Sequence, residues 1–164
     1  MPLLISDANI LIDMDDGGLL EQMFQLNMDF AVPDILFEEE LAPYYPNLLS
    51  LGLVVLEMPE ESISNALSLR AQYGQMGVSA NDCLALTLAK QESCPLLTGD
   101  KKLRDLCKIE NIDHMGTLWL VEQMIRSGFI DCGQAKSAYE AMRDNGSWLP
   151  WKEIEKQLTS LEGI

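Results

Sequence analysis

Apolar residues arrive along this chain in short bursts, each followed by a longer stretch with helical spacing. Leu3, Leu4 and Ile5 form the first burst and stop at Ser6-Asp7, which predicts a buried strand with an acid at its tip. "ILIDMDDGGLLEQMFQL" then predicts a short helical piece, a break at Gly17-Gly18 and a second helix. Residues 30–32 predict a short strand, and Pro33 lies at or near the first turn of the helix after it. "YYPNLLSLG" reads as a turn-rich connection. "LVVLEMP" is a β-branched run stopped by Pro59, and "EESISNALSLRAQYG" is a helix with acids early and Arg70 late, as the helix dipole favours. "VSANDCLALTLAKQE" predicts a helix with Ser79 as N-cap and Leu84, Ala85, Leu88 and Ala89 on its packed face. The strand "CPLLTGD" and the helix "KKLRDLCKIEN" follow. "IDHMGTLWLVEQMIRSGFI" passes from a short strand to a helix, and the tail from Asp131 to Ile164 holds two helical stretches around "NGSWLPW".

Strands alternating with helices predict an α/β fold, a central parallel sheet with helices on both faces. With 164 residues and no linker or repeat, one domain spanning 1–164 is the economical reading, with a core over about 1–130 and a helical C-terminal extension over 131–164.

The acids that punctuate this pattern carry the candidate chemistry. Asp7 ends the first strand and Asp100 a later one, two residues after Thr98. In open α/β sheets ligands bind beyond the carboxyl ends of strands, so the two acids share a crevice if their strands are neighbours. Asp82 sits in a first helical turn, three residues after Ser79, where an acid also suits the helix dipole. In "VPDILFEEEL", helical spacing puts Glu39 over Ile35 and Leu36, while Glu38 and Glu40 are turned away by roughly a hundred degrees each. Asp100 also has a purely structural reading as an N-cap, and Asp82 as an acid favoured by the helix dipole. Converging carboxylates repel unless a cation neutralises them, and all-oxygen ligation suits Mg²⁺ or Mn²⁺. Such an ion can activate water and stabilise charge on a phosphoryl oxygen, which implies phosphodiester hydrolysis.

Composition narrows this further. There are 26 acids against 11 bases, a net charge of −15, which opposes simple nucleic-acid binding; a cation-holding acid cluster or a basic partner protein are two explanations. Lys101, Lys102 and Arg104 form the local basic group beside Asp100, either meeting phosphates or lining a solvated helix face. Four cysteines without C-x-x-C spacing and a single histidine, His114, argue against zinc and read as reduced thiols and a structural or surface histidine. No apolar run is long enough to span a membrane and "MPLLISDANILID" lacks a signal-peptide pattern, so the expected location is the cytoplasm. Trp148 and Trp151 read as packing anchors, with base stacking as the alternative.

Taken in order, "ISDANILID", "VPDILFEEEL", "SANDCLALTLAK" and "LLTGDKKLRDL" resemble the four acidic motifs of PIN-domain ribonucleases, over about residues 3 to 130. "HMGTLWLVEQMIRSGFI" further resembles a subgroup of bacterial PIN proteins with a "GT-L" turn and helix after the last acid. The resemblance implies a Rossmann-like PIN fold and a Mg²⁺- or Mn²⁺-dependent endoribonuclease. It implies the toxin of a VapC-like toxin–antitoxin pair, dimeric and neutralised by a small antitoxin. Position by position, it implies metal-ligating and catalytic roles for Asp7, Glu39 (with Glu38 and Glu40 as register neighbours), Asp82 and Asp100. Asn9 and Thr98 match supporting polar positions, and Asp105 is a weaker candidate.

Two other functions compete. One is a PIN-like module without catalysis, whose acidic surface engages a basic protein partner. The other is a phosphatase-like hydrolase with Asp7 as nucleophile. It is disfavoured because Asn9, two residues on, cannot serve as acid and base.

Overall fold

The computed structural model describes residues 1–163. Its sheet has five parallel strands, β1 Leu3–Ser6, β2 Asp29–Pro33, β3 Val54–Leu56, β4 Leu96–Leu97 and β5 His114–Met115, in the order β3-β2-β1-β4-β5. Between them run α1 Ala8–Asp16, α2 Leu20–Gln25, α3 Asp34–Leu36, α4 Leu48–Leu51, α5 Glu60–Tyr73, α6 Ala80–Glu92 and α7 Lys101–Ile109. After β5 come α8 Thr117–Arg126, α9 Cys132–Asp144 and α10 Trp151–Leu161. Parallel strands need crossover connections and these are right-handed, so chain segments moving in opposite directions across the sheet lie on opposite faces.

The strands are short but buried. Ile5, Ala31, Val32, Leu96 and Leu97 are fully enclosed, as expected for a parallel sheet covered on both sides. Over it, α6 contacts β1, β2 and β4 and is itself covered by α5. Every residue from Cys83 to Leu88, and Ala89 after them, is buried, so α6 has no solvent stripe where the sequence suggested one packed face. The turn-rich connection contains a single helical turn, α4, held because Leu48 is buried and α4 packs on α2.

The residues after α8 are built into the same core. Ala135, Ala138, Tyr139 and Met142 of α9 are buried, and α9 packs on α1 and α8. The Gly17-Gly18 break makes this approach possible. A Cβ on Gly17 would lie 2.8 Å from Met142 Cε and 3.3 Å from Ala138 Cβ, and Gly18 takes the left-handed turn at φ +69. Gln157 of α10 ties three helices together: it accepts from the Tyr139 hydroxyl at 2.7 Å and donates to the Leu118 carbonyl at 2.6 Å. Trp151 is half-buried with the Arg143 guanidinium 5.1 Å above its ring. Trp148, by contrast, is 80% exposed and anchors nothing; its neighbour Leu149 takes the buried place. No helix among the described residues is long and apolar enough to cross a membrane.

Gln157→Leu leaves the buried Tyr139 hydroxyl without its acceptor. Urea denaturation of this variant is expected to show a loss of about 1–3 kcal/mol. An unchanged midpoint and slope would mean that Gln157 does not hold α10 to the core.

Candidate active site

The chain leaves β1 towards β2 and β3, and later returns on the other side of β1 as β4 and β5. The crevice of an open α/β sheet opens where the strand order reverses, here between the ends of β1 and β4. Register fixes what meets there. Ile5 pairs with Leu96 and Ser6 with Leu97, and the Asp7 N–H donates to the Leu97 carbonyl at 3.0 Å. Asp7 therefore lies beside Thr98, whose hydroxyl donates to Asp7 Oδ2 at 2.5 Å.

The other oxygen of Asp7, Oδ1, accepts from the Ile10 N–H at 2.9 Å, so Asp7 is the N-cap of α1. Thr98 Oγ1 also accepts from the Asp100 N–H at 3.1 Å, and Asp100 Oδ1 caps α7 by accepting from the Lys102 N–H at 2.9 Å. Asp82 forms a reciprocal capping box with Ser79: its N–H donates to Ser79 Oγ at 3.0 Å, and its Oδ2 accepts from the Ser79 N–H at 2.9 Å. The cap and the site are thus the same residues. Capping draws one oxygen of each carboxyl to its helix while the helix N-termini point the group at the crevice.

Burial dominates the electrostatics. Asp7 is 1% exposed, and desolvation pushes its carboxyl up from 3.8 to about 7, against the opposing bonds from Thr98 and Ile10. The charges of Asp82 and Asp100 push it the same way. Asp82, half-buried, is also raised, first by burial and then by Asp100. These mutual effects place Asp7, Asp82 and Asp100 within electrostatic reach of one another. The Cys107 thiol, buried near Asp7, is pushed up to about 12 by burial and by that carboxyl, so it is an inert neighbour rather than a nucleophile.

Of the sequence-predicted residues, Asp7, Thr98, Asp82 and Asp100 come together. Glu39, with Glu38 and Glu40 as its register neighbours, stands in an irregular turn. Residues Phe37–Leu41 form a π turn, with the Ala42 N–H bonded to the Phe37 carbonyl at 2.8 Å. The wider turn breaks the three-and-four spacing on which the reading of Glu39 relied. Glu38, Glu39 and Glu40 are all exposed. Asn81 Nδ2 donates to both Glu39 and Glu40 at 3.0 Å, and Glu40 is raised by partial desolvation with Asp82 adding repulsion, so both glutamates reach the start of α6. Asn9 is exposed on the first turn of α1. Asp105 is absent from the groups that perturb Asp7 or Asp82. His114 is half-buried on β5 and lowered by burial and by Arg104 and Lys108, well apart in role from the acids.

Two residues escaped the sequence reading. Asn81 stood in plain view before Asp82, yet nothing local shows that its amide reaches across to residues 39 and 40. Thr117 is buried, with its hydroxyl 3.6 Å from where a Cβ on Gly99 would lie, so the "GT-L" turn packs behind the Thr98-Gly99-Asp100 loop.

The donor set is all oxygen and carries unrelieved repulsion, which fits a hard divalent cation. Among the described residues no three acidic, histidine or cysteine side chains already converge as a metal cluster. Binding one ion therefore requires rotation of the half-buried Asp82 and Asp100 or the exposed Glu40 towards Asp7.

Asp7 keeps its proton in the fold up to about pH 7, but loses it near 3.8 when unfolded. The folded state binds more protons in that window, so its stability is full below about pH 3.8 and declines as pH rises through about 7. In metal-free protein, Asp7→Asn is expected to melt higher than wild type at pH 8, with the difference closing towards pH 4. Thermal melts across this range check it; a variant that melts lower at pH 8 would contradict the assigned burial cost.

The solved structure of a PilT N-terminus domain protein from the archaeon Sulfolobus solfataricus superposes with a TM-score of 0.50 at 13% identity, covering 76% of this chain and 93% of that one. VapBC2 from Rickettsia felis, bound to a DNA fragment from its promoter, gives 0.48 at 19% identity over 70% of this chain and 98% of that one. A toxin–antitoxin complex from Klebsiella pneumoniae gives 0.45 at 21% over 60% and 88%. No curated protein matches the sequence. A family model described as DUF3368: PIN domain matches residues 3–163, nearly the whole chain including α9 and α10, and the chain belongs to this PIN-domain family.

Proposed function

We propose that this protein is a metal-dependent endoribonuclease. The observation that carries the reading is the placement of Asp7, Asp82 and Asp100 at three helix N-termini beside the reversal of strand order, with Asp7 held near 7 by burial and by its acidic neighbours. Membership of the PIN-domain family supports it.

Asp7, Asp82 and Asp100, with Glu40 or Glu39 at the rim, would hold Mg²⁺ or Mn²⁺. That ion would supply charge neutralisation at a phosphoryl oxygen and a lowered pKa for water. The chain's own groups do the rest. Thr98 and the Ile10 N–H fix both oxygens of Asp7. Asp100 Oδ1 is held by the Lys102 N–H, and its Oδ2 is the oxygen available to take a proton from water attacking the phosphorus in line. Asn81 holds the glutamates at the opposite rim. No cysteine or histidine nucleophile is needed.

The sequence resemblance to VapC-like ribonucleases extends the reading to the toxin of a toxin–antitoxin pair, acting on RNA as a homodimer and restrained by a small antitoxin. The net charge of −15 favours a second reading, a PIN module without catalysis that binds a basic protein.

A mixed pool of structured RNA, incubated with Mn²⁺, Mg²⁺ or EDTA, separates the two. Cleavage is expected with metal and not with EDTA, and Asp82→Asn and Asp100→Asn are each expected to lower the rate by about 100-fold or more. Intact RNA under every condition, with calorimetry showing Mn²⁺ bound, would transfer the protein to the second reading.

A further inference from the structure

The cations of the chain are not equivalent. Lys90 pairs with Glu110 at 3.5 Å, Arg126 with Glu122 and Arg143 with Asp144, each at 3.3 Å. Arg104 and Lys108, four residues apart, share one face of α7, and Lys101 and Lys102 lie in its first turn. The Lys102 N–H is bonded to Asp100, while its side chain runs across the crevice wall to Gly77: a Cβ on Gly77 would lie 2.8 Å from Lys102 Nζ, 3.0 Å from Cδ and 3.2 Å from Cε. Gly77 has φ +88, a conformation glycine adopts without strain, and stands two residues before Ser79, the cap that holds Asp82. Among the described residues Lys102 Nζ has no carboxylate within 4.0 Å, although acids line the crevice beside it.

An ammonium group held over a glycine, between the loops that present Asp82 and Asp100, and without an acid partner, is poised for an anion from outside. We propose that Lys102 contacts a backbone phosphate of the RNA at the mouth of the site and so helps so acidic a protein hold that substrate. This rests on the ribonuclease reading. The lysine offers a point charge without base-edge recognition, so it contributes affinity and orientation uniformly across sequences. Gly77 is a positioning residue for it, since any side chain there would displace the lysine stem.

The test uses Lys102→Gln, Lys102→Arg and, as a control at the far end of α7, Lys108→Gln. With Mn²⁺ and a single-stranded RNA oligonucleotide, Lys102→Gln is expected to raise KM about tenfold with kcat little changed, while Lys102→Arg recovers most of the loss and Lys108→Gln matches wild type. On an Asp7→Asn background, where turnover is stopped, fluorescence anisotropy of the same oligonucleotide across a salt series is expected to show the salt slope falling by about 1 on adding Lys102→Gln. Wild-type KM and salt slope in Lys102→Gln, in a protein that does cleave RNA, would overturn this inference alone. Failure of wild type to cleave or bind any RNA would overturn the ribonuclease reading, and this inference with it.

Discussion

Everything around the crevice answers to one constraint, a carboxyl group with almost no access to water at the end of the central strand. An isolated carboxylate there carries a desolvation cost that a protein avoids by protonation, by hydrogen bonding or by a cation. Asp7 shows the first two together: both oxygens are bonded, and the group is held near 7. The bond to Thr98 exists only because β1 and β4 pair in a register that sets Asp7 beside it. Register, burial and chemistry at this point are a single fact.

Each of the three aspartates stands at the start of a helix. Asp7 caps α1, Asp82 closes the capping box of α6 and Asp100 caps α7. Each helix N-terminus carries a partial positive charge from its unsatisfied N–H groups, which offsets part of the repulsion among the acids. The same donors that let carboxylates gather without a metal also make the mouth of the site less hostile to phosphate than a net charge of −15 suggests.

The C-terminal helices pack against the elements that carry the crevice. The close approach of α9 at Gly17 presses on the end of α1, the helix that Asp7 starts, and Gln157 fastens α10 to α8 and α9. The Gly116-Thr117 turn at the head of α8 packs behind the Thr98-Gly99-Asp100 loop. Packing at the far end of α1 and behind β4 therefore bears on the two acids that the strands deliver.

Local order was legible in the residues themselves. Apolar bursts of strand length, helical spacing between them and capping residues at their boundaries are short-range signals. They marked the alternation of strands and helices, Ser79 as a cap, and Asp7, Thr98, Asp82 and Asp100 as candidates. Three things were decided by tertiary structure. Strand order, which makes β1 and β4 neighbours, depends on contacts between residues about ninety positions apart, and no local pattern encodes them. The π turn at Phe37–Leu41 replaced the three-and-four spacing expected there, and Glu39 and Glu40 both reach Asn81. The reach of Asn81 to Glu39 and Glu40, and of Lys102 to Gly77, arose where separate loops came together in space. Periodicity and capping act over a few residues and are written in the chain; convergence acts across the fold and exists only once the sheet has set its register.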